Sequence, residues 1–127
     1  MPEINKQRPK FLDPLAIHLP LPGKLSIMHR ISGGGMFLIL PCLIYLLQLS
    51  LGTPQEFEVF RAITHSPLVK LVLLILLYGF LHHFFMGIRI LLIDMHKGVK
   101  IEAARKSAKV VLFASITLAV ILGVTLW

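Results

Sequence analysis

The chain has 127 residues, of which 56% are hydrophobic and only 15% charged. A soluble domain carries about a quarter charged residues, and a core of this size cannot hide so many Leu, Ile, Val and Phe, so lipid must cover part of the surface. The formal charge of +7 does not point to nucleic acid, which needs basic residues gathered on one folded face; here Lys and Arg flank apolar runs, the pattern of membrane topology determinants.

Residues 1–23 are polar and punctuated by Pro9, Pro14, Pro20 and Pro22. The residue before a proline avoids the helical region, so an extended leader is expected. It lacks the apolar stretch of a secretory signal, and Glu3 and Asp13 argue against a mitochondrial transit peptide.

Three apolar runs follow, each near the roughly 20 residues needed to cross a hydrocarbon core about 30 Å thick. The expected fold is all-α: residues 24–127 form a three-helix membrane anchor, with helices at about 24–51, 67–95 and 101–127. In the first helix 31–51 is uncharged, Pro41 predicts a kink, and the lone Cys42 excludes an intrachain disulfide. Pro54 and Pro67 bracket the first connection. The second helix is apolar over 68–93 apart from Lys70, His82, His83 and Arg89. The third carries small residues at Ser107, Ser115, Ala119 and Gly123, mostly four apart. That spacing suits close helix packing and also arises by chance in an alanine-rich helix.

Charge sets the orientation. Lys6, Arg8, Lys10, Lys24 and Arg30 precede or open the first span, and Lys97, Lys100, Arg105, Lys106 and Lys109 fill the second connection, whereas the first connection holds only Arg61 beside Glu56 and Glu58. The N-terminus and second connection are therefore expected in the cytoplasm and the C-terminus in the periplasm.

Ionisable groups inside a span usually face a bundle interior, a cofactor or a water path. Lys70 and Arg89 sit where a long side chain can snorkel; His82 and His83 do not. Interhelical hydrogen bonding, a proton relay and ligation of haem iron compete for the pair. Gly79, His83 and Gly87 share one face, leaving either a flat clearing for a porphyrin or a stripe for helix packing. His82 points about 100° away, which makes His83 the ligand candidate and His82 a packing or hydrogen-bonding residue. Arg89 lies six residues on, about 9 Å nearer the cytoplasm, at a depth suited to haem propionates. At the start of the first span, Ser26 and Arg30 share a helical face, with His29 beside them. A hydroxyl and a guanidinium suit a quinone carbonyl; an N-cap serine and two topology-setting basic residues are the plainer explanation.

Taken in order, Arg8-Pro9, Leu12-Asp13, the run from Ser26 through His29-Arg30 to Ser32-Gly33, His83 four before Gly87-Ile88-Arg89, Asp94, and Ala103-Ala104-Arg105-Lys106-Ser107-Ala108 resemble the cytochrome b membrane-anchor subunit of succinate dehydrogenase (complex II). The resemblance covers nearly the whole chain. It implies haem b with His83 as axial ligand, His29 and Arg30 near the propionates, and Ser26 and Arg30 in a pocket for ubiquinone or menaquinone. Arg89 and Asp94 are supporting polar residues. It also implies a flavoprotein subunit, an iron–sulfur subunit and a second small anchor subunit as partners, with dicarboxylate chemistry on those partners and the complex in a bacterial inner membrane. The family often has Arg-His where this chain has Arg89-Ile90, which removes one polar contact at the haem edge. The competing expectation is a small proton- or ion-translocating or assembly subunit that uses the same His, Arg and Asp without haem.

Overall fold

The computed structural model describes Asp13 and residues 16–127. Positions 1–12, 14 and 15, including Arg8-Pro9 and Leu12, lie outside the described residues. Four helices follow in order: α1 (Leu21–Leu51), α2 (Pro54–His65), α3 (Pro67–Asp94) and α4 (Ile101–Leu126). Among the described residues there is no strand.

α1 starts at Leu21, earlier than the expected 24, because Pro20 takes the N-cap position and Pro22 the first turn. Proline fits there, since the first amides of a helix have no intrahelical acceptor. The helix continues through Pro41. α1, α3 and α4 have 31, 28 and 26 residues, or about 46, 42 and 39 Å at 1.5 Å per residue. Each exceeds a hydrocarbon core of about 30 Å, and all three are apolar enough to cross a membrane. Phe37 and Leu38 of α1 are 75% and 77% exposed, which suits contact with lipid. The chain is an all-helical integral membrane protein.

α2 is the element that the first connection concealed. Thr53 caps it: the Glu56 amide donates to Thr53 Oγ1 at 3.3 Å, and the Thr53 amide donates to Glu56 Oε2 at 2.7 Å. This reciprocal box satisfies two orphan donors, and Pro54 occupies the first turn. Phe60, Ile63 and Thr64 are half-buried while Phe57, Glu58 and Arg61 are exposed, so the helix is amphipathic. The exposed Arg61–Glu58 pair at 3.3 Å adds little stability.

The turn from α3 to α4 is closed by backbone. The Lys97 amide donates to Leu92 O and the His96 amide to Ile93 O, both at 2.9 Å, a pairing that satisfies the last carbonyls of a helix. It requires a left-handed residue, and His96 supplies it at φ 59°, a conformation that side-chain-bearing residues adopt at a cost. α4 then returns against α3 through its small residues. Ala108 and Ser115 are fully buried, and a Cβ at Gly123 would come within 2.8 Å of Leu74 Cδ2. Ser115 donates back to Val111 O at 2.8 Å, so the seam contains no orphan hydroxyl. The small-residue stripe is a packing face.

The buried core lies at one end, where α1 begins, α3 ends and α4 begins: Leu25, Met86, Ala108 and Val111 with His82 and Arg89. The same end carries Lys24, Arg30, Lys97, Lys100, Arg105, Lys106 and Lys109 and is called the basic end below.

Accepting hydrogen bonds from the Thr53 backbone and hydroxyl holds the Glu56 carboxyl below its ordinary range. A carboxylate depressed in the folded state contributes stability above its unfolded pKa and loses it as pH falls through the lower folded value. Amide exchange of α2 relative to α1 should therefore quicken under acid, and Glu56→Gln should flatten that dependence. Thr53→Ala should quicken α2 exchange roughly fivefold at neutral pH, the effect of losing one cap.

Candidate functional site

The polar seam of the molecule runs between α1 and α3 near the basic end. Two consecutive histidines of α3 address two carbonyls one turn apart on α1. His83 Nδ1 lies 3.0 Å from His29 O, and His82 Nε2 lies 3.4 Å from Leu25 O. Ser32 Oγ donates to the same His29 carbonyl at 2.9 Å and approaches His83 Nδ1 at 3.3 Å. The His29 ring stacks on the His83 ring, with centroids 4.1 Å apart and planes inclined by 11°.

A carbonyl accepts only, so Nδ1 of His83 carries the proton and Nε2 keeps its lone pair. Nε2 makes no hydrogen bond among the described residues. An imidazole whose one nitrogen donates to a backbone carbonyl is the usual arrangement of a metal-ligating histidine, because that bond fixes both tautomer and ring orientation. Among the described residues no group of three or more His, Cys, Asp or Glu could hold a metal.

His82 is 1% exposed and sits in the core beside Leu25, with Tyr78 at a ring distance of 6.0 Å. Its Nδ1 is buried and unbonded.

The glycine stripe around His83 does not present an open flat face. A Cβ at Gly79 would meet Ser32 Cβ at 3.9 Å, and one at Gly87 would meet His29 Nε2 at 3.8 Å. At both positions a Cβ would make ordinary van der Waals contact with α1, whose His29 ring lies over the imidazole. Gly33 is the tightest point: a Cβ there would stand 2.9 Å from His83 Cε1. Sequence reading assigned Gly33, Ser32 and the His29 carbonyl no role. The short spacing His29-x-x-Ser32-Gly33 is the signal that was available.

Arg89 does not snorkel. It is 8% exposed, and its guanidinium donates to Ser107 Oγ at 3.0 Å and Ala104 O at 3.2 Å, both on α4. Its donors are directed at the α3–α4 seam. Asp94 is exposed at the end of α3, where a carboxylate opposes the helix dipole. Ser26 is half-buried and Arg30 exposed on the first turns of α1. Neither side chain is hydrogen-bonded among the described residues.

Three spans, a basic end and an imidazole held between helices by a backbone carbonyl describe a multi-pass helical membrane subunit. The family model of the succinate dehydrogenase/fumarate reductase transmembrane subunit matches residues 4–122. The chain is also 35% identical over 125 residues, 98% of its length and 100% of the relative's, to the succinate dehydrogenase cytochrome b556 subunit of Coxiella burnetii (strain RSA 493 / Nine Mile phase I). The chain belongs to the succinate dehydrogenase/fumarate reductase transmembrane subunit family.

The Arg89 contacts predict a stability effect independent of any ligand. Ser107→Ala should cost about 1.5–3 kcal/mol, the worth of one hydrogen bond to a charged group, and Arg89→Leu should cost no more than a few kcal/mol, with α4 still packed. Thermal inactivation of the purified complex measures both.

Proposed function

We propose that this chain is the haem-ligating membrane anchor of a succinate dehydrogenase and forms one wall of its quinone-reduction site. The observation that carries this is the His83 imidazole, tied through Nδ1 to His29 O at 3.0 Å with Nε2 left over in mid-membrane. A single nitrogen suits haem b, with the second axial ligand coming from another small anchor subunit.

Haem b, when bound, supplies one-electron redox chemistry. The chain's own residues do the rest. The His29 carbonyl holds the His83 proton at Nδ1 and so keeps Nε2 basic. His29 and Arg30, at the basic end, suit the two propionates, since guanidinium binds carboxylate in a fork. Ser26 Oγ and Arg30, one turn apart on α1, hydrogen-bond a quinone carbonyl as negative charge develops on it during reduction. The quinone is ubiquinone or menaquinone.

The basic end faces the cytoplasm of a bacterium, with the C-terminus periplasmic, because Lys and Arg crowd that side. That orientation sets Ser26 and Arg30 beside an iron–sulfur subunit, which receives its electrons from a flavoprotein subunit where succinate is oxidised. The chain contributes anchoring, ligation and part of the quinone wall, and none of the dicarboxylate chemistry.

In the purified complex, His83→Ala should abolish or strongly alter the reduced-minus-oxidised b-type spectrum, and His82→Ala should retain it. The reverse outcome assigns the ligand to His82. Ser26→Ala and Arg30→Leu should each lower quinone reduction tenfold or more while succinate oxidation with an artificial acceptor stays near wild type. Equal loss of both activities would mean failed assembly instead of a quinone role.

A further inference from the structure

We infer that Gly33 is the positioning residue of the axial imidazole: its missing side chain is the space in which the His83 ring is seated, and it sets where Nε2 points. The inference rests on His83 being the haem ligand and adds a determinant on the opposite helix.

α1 carries three consecutive glycines, and the structure separates them sharply. A Cβ built at Gly34 or Gly35 meets nothing within 4 Å. At Gly33 the same Cβ would stand 2.9 Å from His83 Cε1, 3.4 Å from Nδ1 and 3.9 Å from Nε2. The nearest atom is closer than carbon atoms pack, so the ring must move. A side-chain end usually moves at small cost, but this one is held. Nδ1 is hydrogen-bonded to His29 O at 3.0 Å, Ser32 Oγ stands 3.3 Å away, and the His29 ring lies stacked against it. All of these holds come from residues 29–33 of α1, so the segment forms a cradle with Gly33 as its floor. A methyl group on that floor pushes the ring along the only line the cradle leaves, which breaks or bends the Nδ1 bond and re-aims Nε2. Ligand basicity and ring angle both tune an axially bound iron, so the effect should be read at the haem.

The test uses the assembled complex. Gly33→Ala should shift or broaden the reduced-minus-oxidised haem band and move the haem midpoint potential, or lower haem occupancy. Gly34→Ala and Gly35→Ala should match wild type in all three. Succinate oxidation with an artificial acceptor reports assembly. If Gly33→Ala lowers assembly, the same change made on His83→Ala, where the struck ring is gone, should add no further loss. An unchanged band and potential in Gly33→Ala would overturn the inference while leaving the ligand assignment intact. A Gly33→Ala defect that persists in full without the His83 ring would also overturn it, since Gly33 would then be a helix-packing residue. A wild-type haem spectrum in His83→Ala sinks the ligand assignment, and this inference with it.

Discussion

The bond from His83 Nδ1 to the His29 carbonyl is the constraint around which the basic end is organised. In a membrane interior no water is present to satisfy an imidazole N–H, and an unpaired polar group there costs several kcal/mol. The acceptors within reach on the neighbouring helix are the Ser32 hydroxyl and backbone carbonyls, the latter already engaged in the helix but each with a second lone pair. α1 offers two of these one turn apart, and α3 answers with two adjacent histidines: His83 to His29 O and His82 to Leu25 O. The pairing locks rotation and register of α1 against α3, and Gly33 leaves the space in which the His83 ring makes it.

Function and stability divide along the seams. The α3–α4 seam is built of Ala108, Val111, Ser115 and Gly123, with Arg89 fastened to Ser107 and Ala104. Its buried polar groups are paired across the two helices, Arg89 Nε with Ser107 and Nη2 with Ala104 O. The α1–α3 seam instead ends in groups with capacity to spare: Nε2 of His83, the Ser26 hydroxyl and the Arg30 guanidinium. Most of the remaining surface is apolar and exposed, suited to lipid or to another membrane subunit. The α3–α4 seam carries the buried packing, and the α1–α3 seam carries the paired histidines.

Much of this was legible in the sequence because membranes simplify the physics. Three apolar runs of sufficient length can do little besides span, and Lys and Arg gather near one set of their ends. The amphipathic α2 was hidden because a connection between spans was expected there, although Thr53-Pro54-Gln55-Glu56 spells a capping box. The leader's last residues belong to α1 because prolines that break a helix interior are tolerated in its first turn. The site was legible in part. That His83 and His82 differ follows from the 100° step between neighbours on a helix. What the glycines around His83 do required knowing which helix lies over them. One-dimensional spacing gives a face but not its occupant: of the two readings of the glycine face, the structure sets α1 against it. For Arg89 the depth along the helix was legible, but the azimuth that directs its guanidinium to α4 was not.

The central claim is that this imidazole is oriented by one nitrogen so that the other can bind iron. A cryo-electron microscopy structure of the purified complex tests it most directly. It should show His83 Nε2 within coordination distance of a haem iron, with Nδ1 still hydrogen-bonded to the His29 carbonyl. Haem ligated elsewhere, or no tetrapyrrole at all while His83 merely bonds α1, would contradict it.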